Sequence, residues 1–119
     1  MNDRRTLPAR PMPKPTAQVE PYVEAMGPEL AVTFLLAFGG AEMAVPDNPN
    51  GRSAHEALIG PEAAARLSAL KDRLQRRVPL AKAWLAAMLH WQGHSIAHIA
   101  RTLRTSDTSV RKMLKDRHG

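Results

Sequence analysis

The sequence predicts a mostly α-helical protein, with a helical N-terminal domain that contains one short β-strand and a C-terminal domain built around a helix-turn-helix. Three observations predict this fold class: two short helix patterns joined by a brief turn near the C-terminus, a helix start of the form Gly-Pro-Glu that occurs twice, and basic charge concentrated in the C-terminal half. A chain of 119 residues has room for one domain or two very small ones.

Residues 95–115 predict the C-terminal pair of helices. Ser95 and Ser106 are placed to cap the two helices, since a serine oxygen at that position accepts a hydrogen bond from a free N–H of the first turn. The apolar stripe of the second helix is Val110, Met113 and Leu114. Arg104 stands in the turn where glycine is common, so either Arg104 adopts a positive φ or the turn has another geometry.

The opposite face of the second helix carries small polar and basic residues, which suit the edges of bases and the phosphates of a major groove. Arg111, Lys112 and Lys115 are the predicted main contacts, and Thr108 and Ser109 are predicted to tune the register. The full set of predicted DNA-binding residues is Ser95, Arg101, Arg104, Ser106, Thr108, Ser109, Arg111, Lys112 and Lys115. The alternative is an ordinary helical hairpin with a solvated basic face.

The charge distribution favours the DNA-binding interpretation. The net charge is +6, and the segment 20–65 is acidic, with one basic and seven acidic residues. The segment 66–79 has five basic residues and one acidic residue, and 80–119 has seven and two. A basic half that contains the predicted recognition helix is typical of a phosphate-binding surface.

Several classes of function are disfavoured by what the sequence lacks. Without cysteine there is no disulfide, no thiolate-bound zinc and no thiol nucleophile. No glycine-rich phosphate loop and no Ser/His/Asp arrangement is visible, so we expect no enzyme, no cofactor and no metal site. No apolar run is long enough for a membrane span and no signal peptide is recognisable, so we expect a cytoplasmic, nucleoid-associated protein of bacterial or phage origin.

Residues 1–20 are predicted to form a disordered basic arm, because alternating prolines favour extended chain without backbone donors. A solvated tail is the favoured interpretation of this arm. Contact with phosphates or with a minor groove is the alternative.

The N-terminal half contains a short internal repeat. Met26-Gly27-Pro28-Glu29 recurs as Ile59-Gly60-Pro61-Glu62, and Val45-Pro46 recurs as Val78-Pro79, both at an offset of 33 residues. The repeat predicts helices from Pro28 to Phe38 and from Pro61 to about Arg77. Ser53 and Glu56 form a possible capping box before the second of these helices. A further helix, Leu80–Gln92, is predicted to pack on the helix-turn-helix.

Residues 21–78 are predicted to dimerise, and residues 79–119 to form the DNA-binding domain. The helix Pro28–Phe38 is apolar nearly all round, so it has to be buried on all sides. The segment 41–45 is predicted to be an isolated strand whose backbone groups need a partner, which a second copy would supply. The predicted dimerisation residues are Phe34, Leu35, Phe38, Glu42, Met43, Ala44 and Val45.

Taken together, these features resemble the Mor/C family of phage Mu-type transcription activators. The resemblance covers about Tyr22 to Lys115 and lies in the order of elements: the Gly-Pro-Glu helix, the Phe38-Gly39-Gly40 turn, the short strand and the helix-turn-helix. It implies a homodimer joined by the strand Glu42–Val45 and bound to an inverted repeat of double-stranded DNA. It also implies contact with RNA polymerase.

The expected function is therefore a dimeric, sequence-specific transcription regulator, acting as an activator of phage or phage-derived genes. One alternative is an adaptor that binds RNA polymerase or another regulator through the acidic segment 20–65. Another is a fragment of a recombinase, which the chain is too short to support with a catalytic domain. A repressor with the same fold also stays open.

Overall fold

The protein is mostly helical, as predicted. The structure is a computed structural model that describes residues 10–118, with side chains as far as residue 116. Its helices are α1 Glu20–Met26, α2 Pro28–Phe38, α3 Ala54–Ala69, α4 Lys82–Trp91, α5 Ile96–Leu103 and α6 Asp107–His118. A 3-10 turn spans Lys71–Arg73, and Glu42 and Arg77 form an antiparallel β-bridge. None of the helices in this described part has the length and apolar character that crossing a bilayer requires.

The chain divides into two compact units. The repeat unit is Pro15–Ala81, and the basic unit combines Met1–Lys14 with Lys82–Gly119. The repeat unit has six basic and eight acidic residues, a net charge of −2, whereas the basic unit has eleven basic and three acidic residues, a net charge of +8. The net positive charge of the protein therefore belongs to one unit alone.

The core of the repeat unit contains aromatic side chains that the starts of its helices bring together. Gly27 adopts a φ of 84°, and Pro28 opens α2, which ends at Phe38 as predicted. Tyr22 stacks on Phe34 with ring centroids 5.5 Å apart, and Phe38 lies 5.2 Å from Phe34. The hydroxyl of Tyr22 has no hydrogen-bond partner among the described residues, and burial raises its pKa.

Helix α3 begins with the predicted serine cap. The backbone N–H of Glu56 donates to Ser53 Oγ at 3.2 Å, and the Ser53 hydroxyl donates to Glu56 Oε2 at 2.7 Å. The other carboxylate oxygen of Glu56 accepts from the Gly51 N–H at 2.7 Å. The hydrogen bond from Ser53 is the largest cause that lowers the pKa of Glu56, and the hydrogen bond from Gly51 is the next largest.

Two predictions about the second half of the repeat unit were wrong. The helix expected to reach Arg77 ends at Ala69, and the chain then runs through the 3-10 turn into an extended segment. That segment pairs with the residues that were expected to form an isolated strand, which the structure shows as a single β-bridge at Glu42. Gly40 N–H donates to Val78 O at 2.7 Å, and Val78 N–H to Ala41 O at 2.9 Å. The N–H groups of Gly40, Ala41 and Met43 and the C=O of Ala41 thus find backbone partners within the chain.

In the basic unit, α4 is the buried helix on which α5 and α6 rest. Trp84, Met88 and Trp91 are at most 8% exposed, and α4 contacts both α5 and α6. Helix α4 spans Lys82–Trp91, close to the predicted Leu80–Gln92, and the chain turns at Gly93 with a φ of 101°. The fold of this unit thus presents α5 and α6 on one side of a tryptophan-rich helix.

The N-terminal arm is not disordered over the residues that the structure describes. The indole N–H of Trp91 donates to Arg10 O at 2.9 Å, and that of Trp84 donates to Pro13 O at 3.3 Å. From Glu20 the chain is already helical in α1. A buried indole N–H needs an acceptor, and the extended Pro-rich segment supplies one. Residues 1–9 of the predicted arm lie outside the described residues.

Candidate nucleic-acid interface

Helix α5 begins at the predicted cap. The backbone N–H of His98 donates to Ser95 Oγ at 3.1 Å. Ile99, Ala100 and Leu103 are at most 5% exposed and form the buried side of this helix. The serine cap and the apolar stripe therefore fix both the start of α5 and the side that it turns towards the core.

The turn between α5 and α6 has three residues, and Arg104 adopts the left-handed conformation that one of the two predicted alternatives required. Its φ is 59° and its ψ is 47°. Thr105 N–H donates to Ala100 O at 2.9 Å, and Arg104 N–H donates to Arg101 O at 3.3 Å. These two hydrogen bonds are those of a Schellman motif, which ends α5 abruptly and allows α6 to start three residues later.

Ser106 caps α6 as predicted. The Ser109 N–H donates to Ser106 Oγ at 3.0 Å, and the Ser106 hydroxyl is also 3.0 Å from Ser109 Oγ. Val110 is fully buried and Leu114 is 8% exposed, so they hold α6 against the core. The opposite side of the helix is left for solvent.

The exposed face of α6 carries the residues predicted to bind DNA. Thr108, Arg111, Lys112 and Lys115 are all exposed, as are Ser95, Arg101, Arg104 and Ser106, while Ser109 is half-buried. None of the five cations in this set forms an ion pair with a described residue. A short helix with exposed guanidinium, ammonium and hydroxyl groups has the chemistry to bind phosphates and the edges of bases.

A shallow groove borders this face where α5 approaches the start of α6. Its lining includes Arg101, Arg104 and Asp107. Asp107 lies in the first turn of α6, where the helix dipole favours a negative charge. The groove therefore carries two cationic side chains and one acidic side chain beside the N-terminal end of α6.

The basic segment 66–79 belongs to the repeat unit, and three of its five cations face acids there. Arg73 Nη1 lies 2.7 Å from Glu24 Oε2, and Arg76 Nε lies 3.4 Å from Glu42 Oε1. Lys71 pairs with Asp47, and this hydrogen bond raises the pKa of Lys71. The charge of this segment is evident from the sequence. Its ion pairs were not predicted, because the acidic partners are distant in sequence.

The sequence analysis did not predict that the N-terminal arm contributes to the basic unit. The guanidinium of Arg10 donates to His90 O at 3.1 Å and to Trp91 O at 3.3 Å, two carbonyls of the last turn of α4. His90 O also accepts from the Gly93 N–H at 3.0 Å. The side chain of Arg10 thus caps α4 just before the chain enters α5. The clue in the sequence was the pair of tryptophans, because each buried indole N–H needs an acceptor that another segment can supply.

The predicted dimerisation residues are divided between core and surface. Phe34 is fully buried and Leu35 is 2% exposed, so both are enclosed by the core of their own chain. Phe38, Met43 and Val45 are half-buried, whereas Glu42 and Ala44 are exposed. Helix α2 therefore reaches much of its burial without a second copy, which the sequence argument had not anticipated.

No family model, curated protein or solved structure matches this chain. The functional assignment therefore depends on the residues and on their geometry.

Proposed function

We propose that this chain is a sequence-specific DNA-binding transcription regulator, in which α5, the turn and α6 act as a helix-turn-helix and α6 enters the major groove. One observation supports this above the others. The exposed face of α6 presents Thr108, Arg111, Lys112 and Lys115 without ion-pair partners among the described residues, while Val110 anchors the other side of the helix.

In this proposal the exposed side chains differ in which part of the DNA they contact. Arg111, Lys112 and Lys115 contact bases or phosphates, and Arg101 and Arg104 hold the backbone that flanks the turn. Thr108 and Ser109 adjust the register of the helix in the groove. Ser95 and Ser106 lie at helix starts, where backbone N–H groups favour phosphate.

The proposal is tested first by salt dependence. Fluorescence anisotropy with labelled duplexes is expected to show binding whose logarithm falls linearly with the logarithm of salt concentration, with a slope of about −0.9 per neutralised phosphate. Lys112→Gln is expected to reduce the magnitude of that slope by about 1. Arg52→Gln, which removes an exposed cation of the repeat unit, is the matched control and is expected to leave the slope unchanged. Absence of salt-dependent binding would contradict the proposal.

Sequence specificity is tested by selecting bound duplexes from a random pool. A regulator enriches a motif, whereas an adaptor that binds another protein through the acidic segment 20–65 enriches none. The proposal is a DNA-binding protein without a homodimer, because residues 41–43 of the segment that was to join the two copies pair with residues 76–78 of the same chain.

The direction of regulation is proposed on the resemblance to the Mor/C activators alone. On that basis the protein activates phage or phage-derived genes together with RNA polymerase, in the bacterial cytoplasm. Transcription in vitro from a promoter that carries the selected motif tests this part. An increase in transcript on adding the protein is expected, and a decrease would identify a repressor instead.

A further inference from the structure

The sequence repeat of the N-terminal half is also a structural repeat. Gly27 and Gly60, which are 33 residues apart, have φ and ψ of 84° and 159° and of 86° and 167°. Each glycine is followed by a proline that opens a helical segment, and each helical segment leads to an extended segment that ends in Val-Pro. Glycine is suited to both positions because its φ there is positive. The two copies therefore repeat one conformation as well as one motif.

The register of the two extended segments relates the copies to each other. The antiparallel bridge between Glu42 and Arg77 places Met43 opposite Arg76, and Met43 N–H donates to Arg76 O at 3.3 Å. Residues 43 and 76 are also 33 apart, so a residue of the first copy faces its own equivalent in the second. In a two-fold symmetric dimer, strands that pair across the axis meet in this way, each residue at the axis facing itself.

Contacts outside the strands also join one copy to the other. Arg66 Nε donates to Ala25 O at 2.6 Å, and Ser68 Oγ donates to Pro46 O at 2.6 Å. Arg77 Nη1 donates to Gly40 O at 3.2 Å. In each case the donor belongs to the second copy, and the acceptor lies in the first copy or, for Ala25, directly before it. Side chains of the second copy thus hold it against the first copy of the same chain.

We infer that residues 15–81 form a duplicated unit that supplies, within one chain, the strand pairing of a two-fold dimer. One chain then carries two dimerisation repeats and one α5–α6 pair. The protein is therefore a monomer that recognises a DNA site without two-fold symmetry. The part of this inference that concerns DNA rests on the proposed function, whereas the part that concerns the chain itself does not.

The pairing within one chain is tested by a disulfide between positions 42 and 77. Glu42 and Arg77 face each other as a pair whose own backbone groups are not hydrogen-bonded to one another, and in such pairs the Cα atoms lie about 4.5 Å apart. That spacing is within the range for a disulfide. The protein has no cysteine, so Glu42→Cys with Arg77→Cys introduces the only two thiols.

On oxidation at low micromolar concentration, we expect the double variant to give a single-chain species on a non-reducing gel, with a linked 42–77 peptide by mass spectrometry. The single variants Glu42→Cys and Arg77→Cys are the controls, because they can only link two chains. A covalent dimer as the main product of the double variant, or no disulfide at all, overturns the inference. Sedimentation equilibrium of the unmodified protein is a second test: 13.1 kDa is expected, and twice that mass overturns it.

The symmetry of the DNA site is read from the selected duplexes. We expect one asymmetric motif, confined to about one helical turn of 10–10.5 base pairs. An enriched inverted repeat overturns the inference and leaves the proposed function intact. If no motif is enriched, the proposed function fails, and the disulfide and the sedimentation result still decide whether the repeats pair within one chain.

Discussion

The two units of this protein use their charged side chains differently. In the repeat unit, basic residues between Lys71 and Arg76 face acids that are far away in sequence, and the net charge is −2. In the basic unit, the cations of α5 and α6 from Arg101 to Lys115 have no ion-pair partner among residues 10–116, and the net charge of the unit is +8. Basic side chains therefore form ion pairs within the repeat unit, whereas Arg111, Lys112 and Lys115 of the basic unit form none with a described residue.

The difference shows that a basic segment has to be judged by its neighbours in space. Exposed ion pairs such as Arg73 with Glu24 contribute little to stability, about 0–1 kcal/mol each. Their main effect here is to cancel charge that would otherwise repel or attract a partner. The electrostatic field of the protein is consequently set by the basic unit, to which α6 belongs.

The largest expected effect comes from breaking the core of the repeat unit. Phe34→Ala removes the ring between Tyr22 and Phe38, and we expect it to lower the free energy of unfolding by about 3–5 kcal/mol. Both tryptophans belong to the basic unit, so their fluorescence follows that unit while circular dichroism follows both. We expect the circular dichroism transition to move to lower denaturant concentration than the fluorescence transition.

Leu36→Ala is the control for this change, since Leu36 lies on the same helix but is 39% exposed. Its effect on stability should be much smaller. If the two transitions of Phe34→Ala coincide and shift equally, the two units unfold as one. The expectation that they unfold separately would then be wrong.

The second prediction sharpens the contrast in charge. Arg111→Ala is expected to weaken binding to a selected DNA motif by about 1–3 kcal/mol and to relax specificity at one position, if Arg111 contacts a base. Arg52→Ala, which removes an exposed cation of the repeat unit, should change neither quantity. Titration of both variants against the selected motif and against single-base changes is the measurement. Equal losses for the two variants would mean that binding depends on net charge alone.

Local signals predicted much of the fold. The caps at Ser53, Ser95 and Ser106 and the bounds of α2 depend on residues within one or two turns of each other. The positive φ of Arg104 was one of two alternatives predicted because Arg104 stands where glycine is common, and the structure selects it. Such features are recoverable from sequence because both partners of each hydrogen bond stand close together in it.

What sequence could not predict depends on distant partners. Leu67, Leu70 and Leu74 continue a helical stripe, yet the helix stops at Ala69, because residues 76–78 find strand partners at residues 40–43. The same holds for the arm, where Arg10 and Pro13 accept hydrogen bonds from tryptophans about seventy to eighty positions away. The composition of the arm predicted disorder, whereas the tertiary contacts with the two tryptophans order it.

The third prediction separates backbone conformation from charge in the turn. Arg104→Gly is expected to stabilise the basic unit by about 0.5–1 kcal/mol, because glycine avoids the Cβ penalty of the left-handed region but loses more backbone entropy on folding. The same change removes a cation, so DNA affinity should fall. Arg104→Ala is the matched control: affinity should fall as far, without the gain in stability. If neither variant loses affinity, Arg104 does not contact the DNA backbone.

The smallest expected effect is the pH dependence of the repeat unit. The hydrogen bonds from Ser53 and Gly51 hold the pKa of Glu56 below its ordinary value of 4.5 in the folded protein. A carboxylate with a lowered pKa stabilises the fold above the ordinary value, and that contribution disappears as the pH falls through the folded pKa. We therefore expect urea denaturation below pH 4.5 to show a steeper loss of stability for the natural protein than for Glu56→Gln. Ser53→Ala removes the largest cause of the lowered pKa, so its loss of stability with falling pH should be intermediate between the other two. If stability falls equally below pH 4.5 in all three proteins, these hydrogen bonds do not favour the charged form of Glu56.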